Sequence, residues 1–258
     1  MKIQLLPTTF DVSGRATAQQ HLACFVVDNC VALDAGSLAF AATEEQRRQL
    51  RDVVITHSHL DHIAGLPIFI DDLFETLETS LRVHATEAVA EALETHIFNW
   101  TIYPRFSELE NQNGAVMRYL NFNLREKFAV AHLEIIAVPV NHQIETIGLI
   151  VSDKDKCVAI TSDTAETDEF WQTINKLPRL DAVFVECAFP NSKAELAKAS
   201  FHLTPDTFKT EIAKLDRNDC EIFAVHLKPM YRDEICAELE SLKIPRLRIM
   251  MPAEIYEF

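Results

Sequence analysis

A chain of 258 residues can bury a substantial core, and its 48% hydrophobic content is that of a globular protein rather than a disordered one. It has no apolar run of 18 or more residues, and "MKIQLLPTTF" is interrupted at Pro7; the opening is read as a first strand rather than a signal peptide, with a cytoplasmic location as the default. The formal net charge of −15 comes with no basic stripe of the kind that grips a long nucleic acid.

In chain order, apolar and β-branched runs predict strands at "KIQLL", "LACFVV", "CVALD" and "DVVIT", then at "LEIIAVPV", "IGLIVS", "CVAIT", "AVFVE", "EIFAV" and "LRIM". An Asp-Asn pair between "LACFVV" and "CVALD" predicts an antiparallel hairpin. Helices are expected at "TEEQRRQL" behind a Thr N-cap, at "TEAVAEALETHIFNW", at "TPDTFKTEIAKL" with its Thr-Pro start, and at "RDEICAELESL". The six cysteines are scattered, form no C-x-x-C pair and mostly sit in apolar runs, so they read as buried free thiols. Early paired strands followed by strand–helix alternation give an α/β (α+β) chain with two mixed sheets flanked by helices. Residues 1–258 read as a single domain, with a partly helical insertion or cap around 68–130.

The chemistry-bearing residues repeat one pattern, an apolar strand run followed by a metal-ligand residue. "VVIT" leads into His57 and His59, then Asp61 and His62; "IIAVPVN" leads into His142, "VAITS" into Asp163 and "IFAV" into His226. A lone histidine after a strand is usually an ordinary hydrogen-bonded side chain. Four such strand ends carrying seven ligand-type residues are a different matter. A zinc ion takes about four ligands, so seven are too many for one centre, and Asp163 suits a bridging position between two ions. Nitrogen-rich ligation favours zinc, with manganese or iron as alternatives.

"THSHLDHIAGLP" resembles the H-x-H-x-D-H signature of the metallo-β-lactamase superfamily, and the later His, Asp and His fall in that superfamily's order. The resemblance runs from "ALDAGS" to "AVHLKP" and implies an αββα sandwich of two mixed β-sheets flanked by helices. It implies that one metal takes His57, His59 and His142, the other Asp61, His62 and His226, with Asp163 between them. "FHLTP" and "AVHLKP" are similar to motifs of class II cyclic-nucleotide phosphodiesterases and of the related tRNA 3′-processing nucleases. That likeness implies a non-ligand histidine, His202, with Thr204 beside the substrate and Glu186 orienting the imidazole. The stretch "GLPIFIDD" departs from the class II pattern, which bears on the choice of substrate.

The implied reaction is hydrolysis of a 3′,5′-cyclic nucleotide of the cAMP or cGMP type by water activated between two divalent ions. Asp61, His202 and Glu186 form the implied catalytic set. His202 either protonates the leaving oxygen or only contacts a phosphoryl oxygen, and Lys228 either contacts phosphate or anchors its loop. Asp34 and Gly36 read as a tight strand-end turn near the site rather than as ligands. The expected partner is a small phosphodiester, with no long nucleic acid and no membrane, and a homodimer is left open as the assembly. The alternatives are a tRNA 3′-end endoribonuclease, a lactone or thioester hydrolase on the same scaffold, and a non-catalytic metal-binding regulator.

Overall fold

The computed structural model describes residues 1–258. The chain divides into two compact units, Met1–Asn123 with Pro252–Glu257, and Leu124–Met251 with Phe258. The first unit lays down β1 (Lys2–Leu5), β2 (Phe25–Val27) and β3 (Val31–Leu33), then α1 (Leu38–Ala41) and α2 (Glu44–Gln49), and returns as β4 (Asp52–Val54). Helices α3 (Leu60–Ile63) and α4 (Gly65–Leu73) lead to β5 (Leu81–Ala85). Next come α5 (Glu87–His96), a small hairpin of β6 (Glu110–Asn111) and β7 (Gly114–Ala115), and β8 (Met117–Asn121).

The second unit opens with β9 (Lys127–Val130), β10 (Leu133–Pro139), β11 (Ile147–Ser152) and β12 (Cys157–Ile160). It continues with α6 (Glu169–Ile174), β13 (Ala182–Glu186), α7 (Ala194–Ala199) and α8 (Pro205–Ile212). After β14 (Glu221–Val225), α9 (Arg232–Ser241) and β15 (Leu247–Ile249), the strand β16 (Ile255–Glu257) rejoins the sheet of the first unit. No helix is long and apolar enough to cross a membrane.

Each unit is built on a seven-stranded sheet, in the orders β16-β1-β2-β3-β4-β5-β8 and β15-β14-β13-β12-β11-β10-β9. In both, an antiparallel meander gives way to parallel strands joined by helices: β3, β4, β5 and β8 in one, β12 to β15 in the other. Strands linked through helices run parallel, and the loops at their carboxyl ends are where α/β sheets place ligands. The three-residue β2–β3 connection has Asp28 at φ 47° and Asn29 at φ 60°, the positive pair of a primed hairpin turn, closed by Cys30 N–H donating to the Val27 carbonyl at 3.0 Å. The expected caps are present too: Thr43 and Gln46 form a capping box on α2, and Pro205 occupies the first turn of α8 behind Thr204.

The core of the first unit packs Val53, Val83 and Leu81 of its strands against Leu38 of α1, Phe69 of α4 and Leu93 of α5. In the second unit Val183, Val185 and Ala224 pack with Phe170 and Trp171 of α6, Phe208 of α8 and Ile235 of α9. The 68–130 segment is more than a helical cap, because β5 and β8 within it are paired strands of the first sheet. Their signal is masked by polar residues that have partners: Asp52 of β4 accepts from Arg82 Nε at 2.6 Å and lies 2.8 Å from His84 Nε2, both on β5.

Burial alone would raise the Asp52 pKa, but the His84 and Arg82 contacts outweigh it and hold the carboxyl below its ordinary value. Its contribution to stability is therefore present above the unfolded aspartate pKa of about 4 and is lost as pH falls through the lower folded value. Asp52→Asn should cost about 3 kcal/mol at pH 7 in denaturant titration, the low end for a buried pair because the Arg82 side chain is 37% exposed. The gap from the parent should close toward pH 3.

Candidate active site

In the first unit the site starts at the end of β3. Asp34, 3% exposed and in the left-handed region at φ 60°, collects donors from the loop after β4. Its Oδ1 accepts from the Thr56 amide at 2.8 Å, and its Oδ2 from the Thr56 hydroxyl at 2.9 Å. His62 Nδ1 lies 2.7 Å from Oδ2. The Thr56 hydroxyl, committed as donor to Asp34, accepts from His57 Nδ1 at 3.0 Å. Both imidazoles thus carry their proton on Nδ1 and leave Nε2 as the acceptor nitrogen, the arrangement in which an imidazole can take a metal ion. The His57 ring centroid is 4.8 Å from His59 and 4.1 Å from His62.

The loop is held by backbone as well as side chains. Ala23 N–H donates to the Asp61 carbonyl at 2.8 Å, Ala35 N–H to the His62 carbonyl at 2.7 Å, and Gly65 N–H to the Ala35 carbonyl at 3.0 Å. His59 is the N-cap residue of α3 and Asp61 lies in its first turn. Gly36 is required by proximity: a Cβ there would stand 1.9 Å from the Asp61 carbonyl oxygen.

The second unit brings its own group together. Glu186, at the end of β13 and fully buried, accepts from Thr164 N–H at 3.0 Å through Oε1. Its Oε2 accepts from Ala188 and Leu203 N–H, both at 3.1 Å. His202 Nδ1 lies 2.6 Å from Oε1. Burial would lower the His202 pKa, but the Glu186 carboxylate outweighs that and raises it. The His202 ring stacks on His226 at 5.6 Å and lies 5.2 Å from His142. His226 Nε2 is 3.4 Å from Asp163 Oδ2, and His142 Nδ1 is 3.0 Å from the Phe201 carbonyl, which therefore accepts its proton. Asp163, Glu186 and His202 have ligand atoms within 4.8 Å of one another.

The first unit therefore gathers His57, His59 and His62 on the loop that also carries Asp61, and the second gathers His142, Asp163, Glu186, His202 and His226. Thr204 is 3% exposed and serves as the N-cap of α8, with its amide on Thr207 Oγ1 at 2.8 Å. Lys228 is half-buried, its amide donating to the Ala188 carbonyl at 3.3 Å. Two positioning groups escaped the sequence reading: Asp34 as the acceptor behind His62, and Thr56 as the relay to His57. The aspartate at the end of "VALD" was the available signal for the first. The donor set contains only imidazole nitrogens and carboxylate oxygens, with ligand histidines held at Nδ1, and that chemistry fits a divalent metal ion.

Residues 26–219 match the family described as "Beta-lactamase superfamily domain". The chain is similar to the 3′,5′-cyclic-nucleotide phosphodiesterase 1 of Saccharomyces cerevisiae, 25% identical over 235 residues that cover 78% of this chain and 63% of that protein. It is also similar to a probable 3′,5′-cyclic-nucleotide phosphodiesterase of Yersinia pestis, 22% identical over 213 residues, 72% of this chain and 59% of that protein. It thus spans less than two thirds of the length of either relative. Among solved structures, unliganded yeast PDE1 aligns with a TM-score of 0.76 at 18% identity, covering 98% of this chain and 97% of that one. The chain has the metallo-β-lactamase fold expected from its sequence, with two large mixed sheets and flanking helices.

Gly36→Ala tests the backbone contact under the histidine loop. Its thermal midpoint should fall several times further than that of Gly14→Ala, which has open space at φ 78° and should cost about 1–2 kcal/mol. Equal melting of the two variants would show that the Asp61 loop does not rest on Gly36.

Proposed function

Because the chain belongs to the beta-lactamase superfamily, we propose that it is a metal-dependent phosphodiesterase whose substrate is a small 3′,5′-cyclic nucleotide. The observation that carries the reading is the His202–Glu186 pair, an imidazole fixed by a buried carboxylate and stacked beside His226. His202 is not among the seven ligand-type residues at the strand ends, which leaves its proton available to a leaving group. The names of the yeast and Yersinia relatives support the substrate class, and the net charge of −15 favours a small phosphodiester over a nucleic acid polymer.

In this proposal, as the order of the motifs in the sequence implies, His57, His59 and His142 would hold one ion and Asp61, His62 and His226 the other, with Asp163 serving both. Two bound divalent ions, zinc by the preponderance of nitrogen donors, would supply positive charge against the phosphoryl oxygens and make water more acidic. The protein's own groups do the rest. Asp34, Thr56 and the Phe201 carbonyl hold the ligand imidazoles in one tautomer and orientation. Glu186 holds His202 through Nδ1, so that a protonated ring directs its Nε2 proton at the leaving oxygen. As the water oxygen adds to phosphorus and gives up a proton to solvent, the P–O3′ bond breaks and O3′ takes the His202 proton; the product is a 5′-monophosphate with a free 3′-hydroxyl, and His202 is reprotonated from solvent.

Metal analysis of the purified protein should find about two divalent ions per chain, with turnover of cyclic AMP and of a bis-aryl phosphodiester. His59→Ala should lose metal and turnover together. Fully metallated protein that turns over no phosphodiester would sink the proposal. His202→Ala separates the acid from the ligands: metal content should stay at the parent level while kcat drops by about 10²–10⁴. Unchanged kcat in that variant removes His202 from the reaction.

A further inference from the structure

Four consecutive residues after Asp163 are each fastened. Thr164 N–H donates to Glu186 Oε1 at 3.0 Å, and Ala165 N–H to the Asn141 carbonyl at 2.7 Å. The Glu166 carbonyl accepts from Asn141 Nδ2 at 2.9 Å, and Thr167 N–H donates to Glu211 Oε2 at 3.1 Å. Glu186 and Asn141 belong to the site or adjoin it. Glu211 belongs to no motif: it lies on α8, is 1% exposed, and meets Thr167 across 44 positions of sequence.

A carboxylate buried this deeply costs several kcal/mol unless its oxygens are satisfied, and an apolar side chain would pack α8 without that cost. Of the Glu211 oxygens, Oε2 is satisfied by hydrogen bonds and Oε1 by an ion pair. Trp171 Nε1 donates to Oε2 at 2.6 Å, and Lys214 Nζ lies 2.7 Å from Oε1. Lys214 in turn donates to the Thr167 carbonyl at 2.9 Å and to Asp168 at 2.7 Å. What a carboxylate does here that a leucine cannot is hold a loop amide at a set place. Helix α8 is itself tied at its start, where Leu203 N–H and His202 meet Glu186. Glu211 therefore joins the loop carrying Asp163 to the helix that follows His202.

We propose that Glu211 is a positioning residue for Asp163, fixing the loop after β12 so that the Asp163 carboxylate stays in place for a divalent ion. This rests on the metal reading above. The chain has two tryptophans, so Trp100→Phe leaves Trp171, in contact with Glu211, as the sole indole emitter. Zinc affinity is then measured in this background by competition with a chromogenic chelator, alongside Trp171 emission. Glu211→Gln should weaken zinc binding by about tenfold, the scale for removing a group behind a ligand, and abolish the emission response of the parent. Glu211→Asp keeps the charge but is one methylene too short for the Thr167 amide, and should behave alike if the Gln variant does not fold. Asp52→Asn, which loses stability in the other unit, should bind zinc as the parent does. Equal zinc affinity in the Glu211 variants and the parent overturns this proposal alone. Absence of zinc uptake by the parent overturns the metal reading and this proposal with it.

Discussion

A carboxylate removed from water must be given hydrogen-bond donors, and in each unit the candidate residues are organised around that requirement. Asp34 ends β3 and Glu186 ends β13, each nearly or fully buried. Neither can find enough donors on its own strand, so each draws them from loops that would otherwise be loose. Asp34 takes the Thr56 amide and hydroxyl and the His62 ring; Glu186 takes three amides and the His202 ring. The loops recruited in this way are the ones carrying histidines. Solving the desolvation problem of one acid thus fixes the tautomer and direction of an imidazole, and packing and chemistry become one constraint.

The backbone shows what this arrangement costs. Asp34, Ser162, Phe201 and His226 all have φ between 56° and 60°, in the left-handed region that non-glycine residues avoid. Each such residue carries a strain on the order of 1–3 kcal/mol, held only because the surroundings over-determine it. All four sit at or next to a site residue, and three lie within two residues of a strand end. The strain is held between regular elements: β3, β12 and β14 end just before Asp34, Ser162 and His226, and Phe201 lies between α7 and α8.

This explains which parts were legible in the sequence. The ten strands read from apolar runs are all present, and so are the four helices read from caps and spacing, because their side chains report burial directly. The missed strands are those whose residues face charged partners or solvent. In β5, Arg82 and His84 look like surface residues, yet they are partners of buried Asp52; in β8, Arg118, Leu120 and Asn121 are exposed. The ligand-type residues stood out in the sequence by residue type and by their place after apolar runs, and the structure puts them just beyond strands β4, β10, β12 and β14. The groups behind them were harder to see. Thr56 is an ordinary threonine until Asp34 is placed beside it, and Glu211 meets Trp171 from 40 positions away. Such roles arise from contacts between distant segments, and no local pattern encodes those contacts.

The acidity of the whole molecule and the proposed anionic substrate are reconciled by the same geometry. Thirty-nine acids against 24 bases repel an anion at long range, but salt screens exposed charges beyond roughly 8 Å under physiological conditions. What a small anion meets at contact distance is set by the groups beside it, not by the sum over the surface. In each unit the carboxylates nearest the histidines are already engaged. Asp34 and Glu186 each accept from several donors, an imidazole among them. Their charge is spent locally on orienting imidazoles, and divalent ions bound to those imidazoles would reverse the local sign. An acidic exterior around such a site discriminates by size: a polymer must cross the repulsive surface along its whole length, whereas a cyclic mononucleotide presents one phosphate.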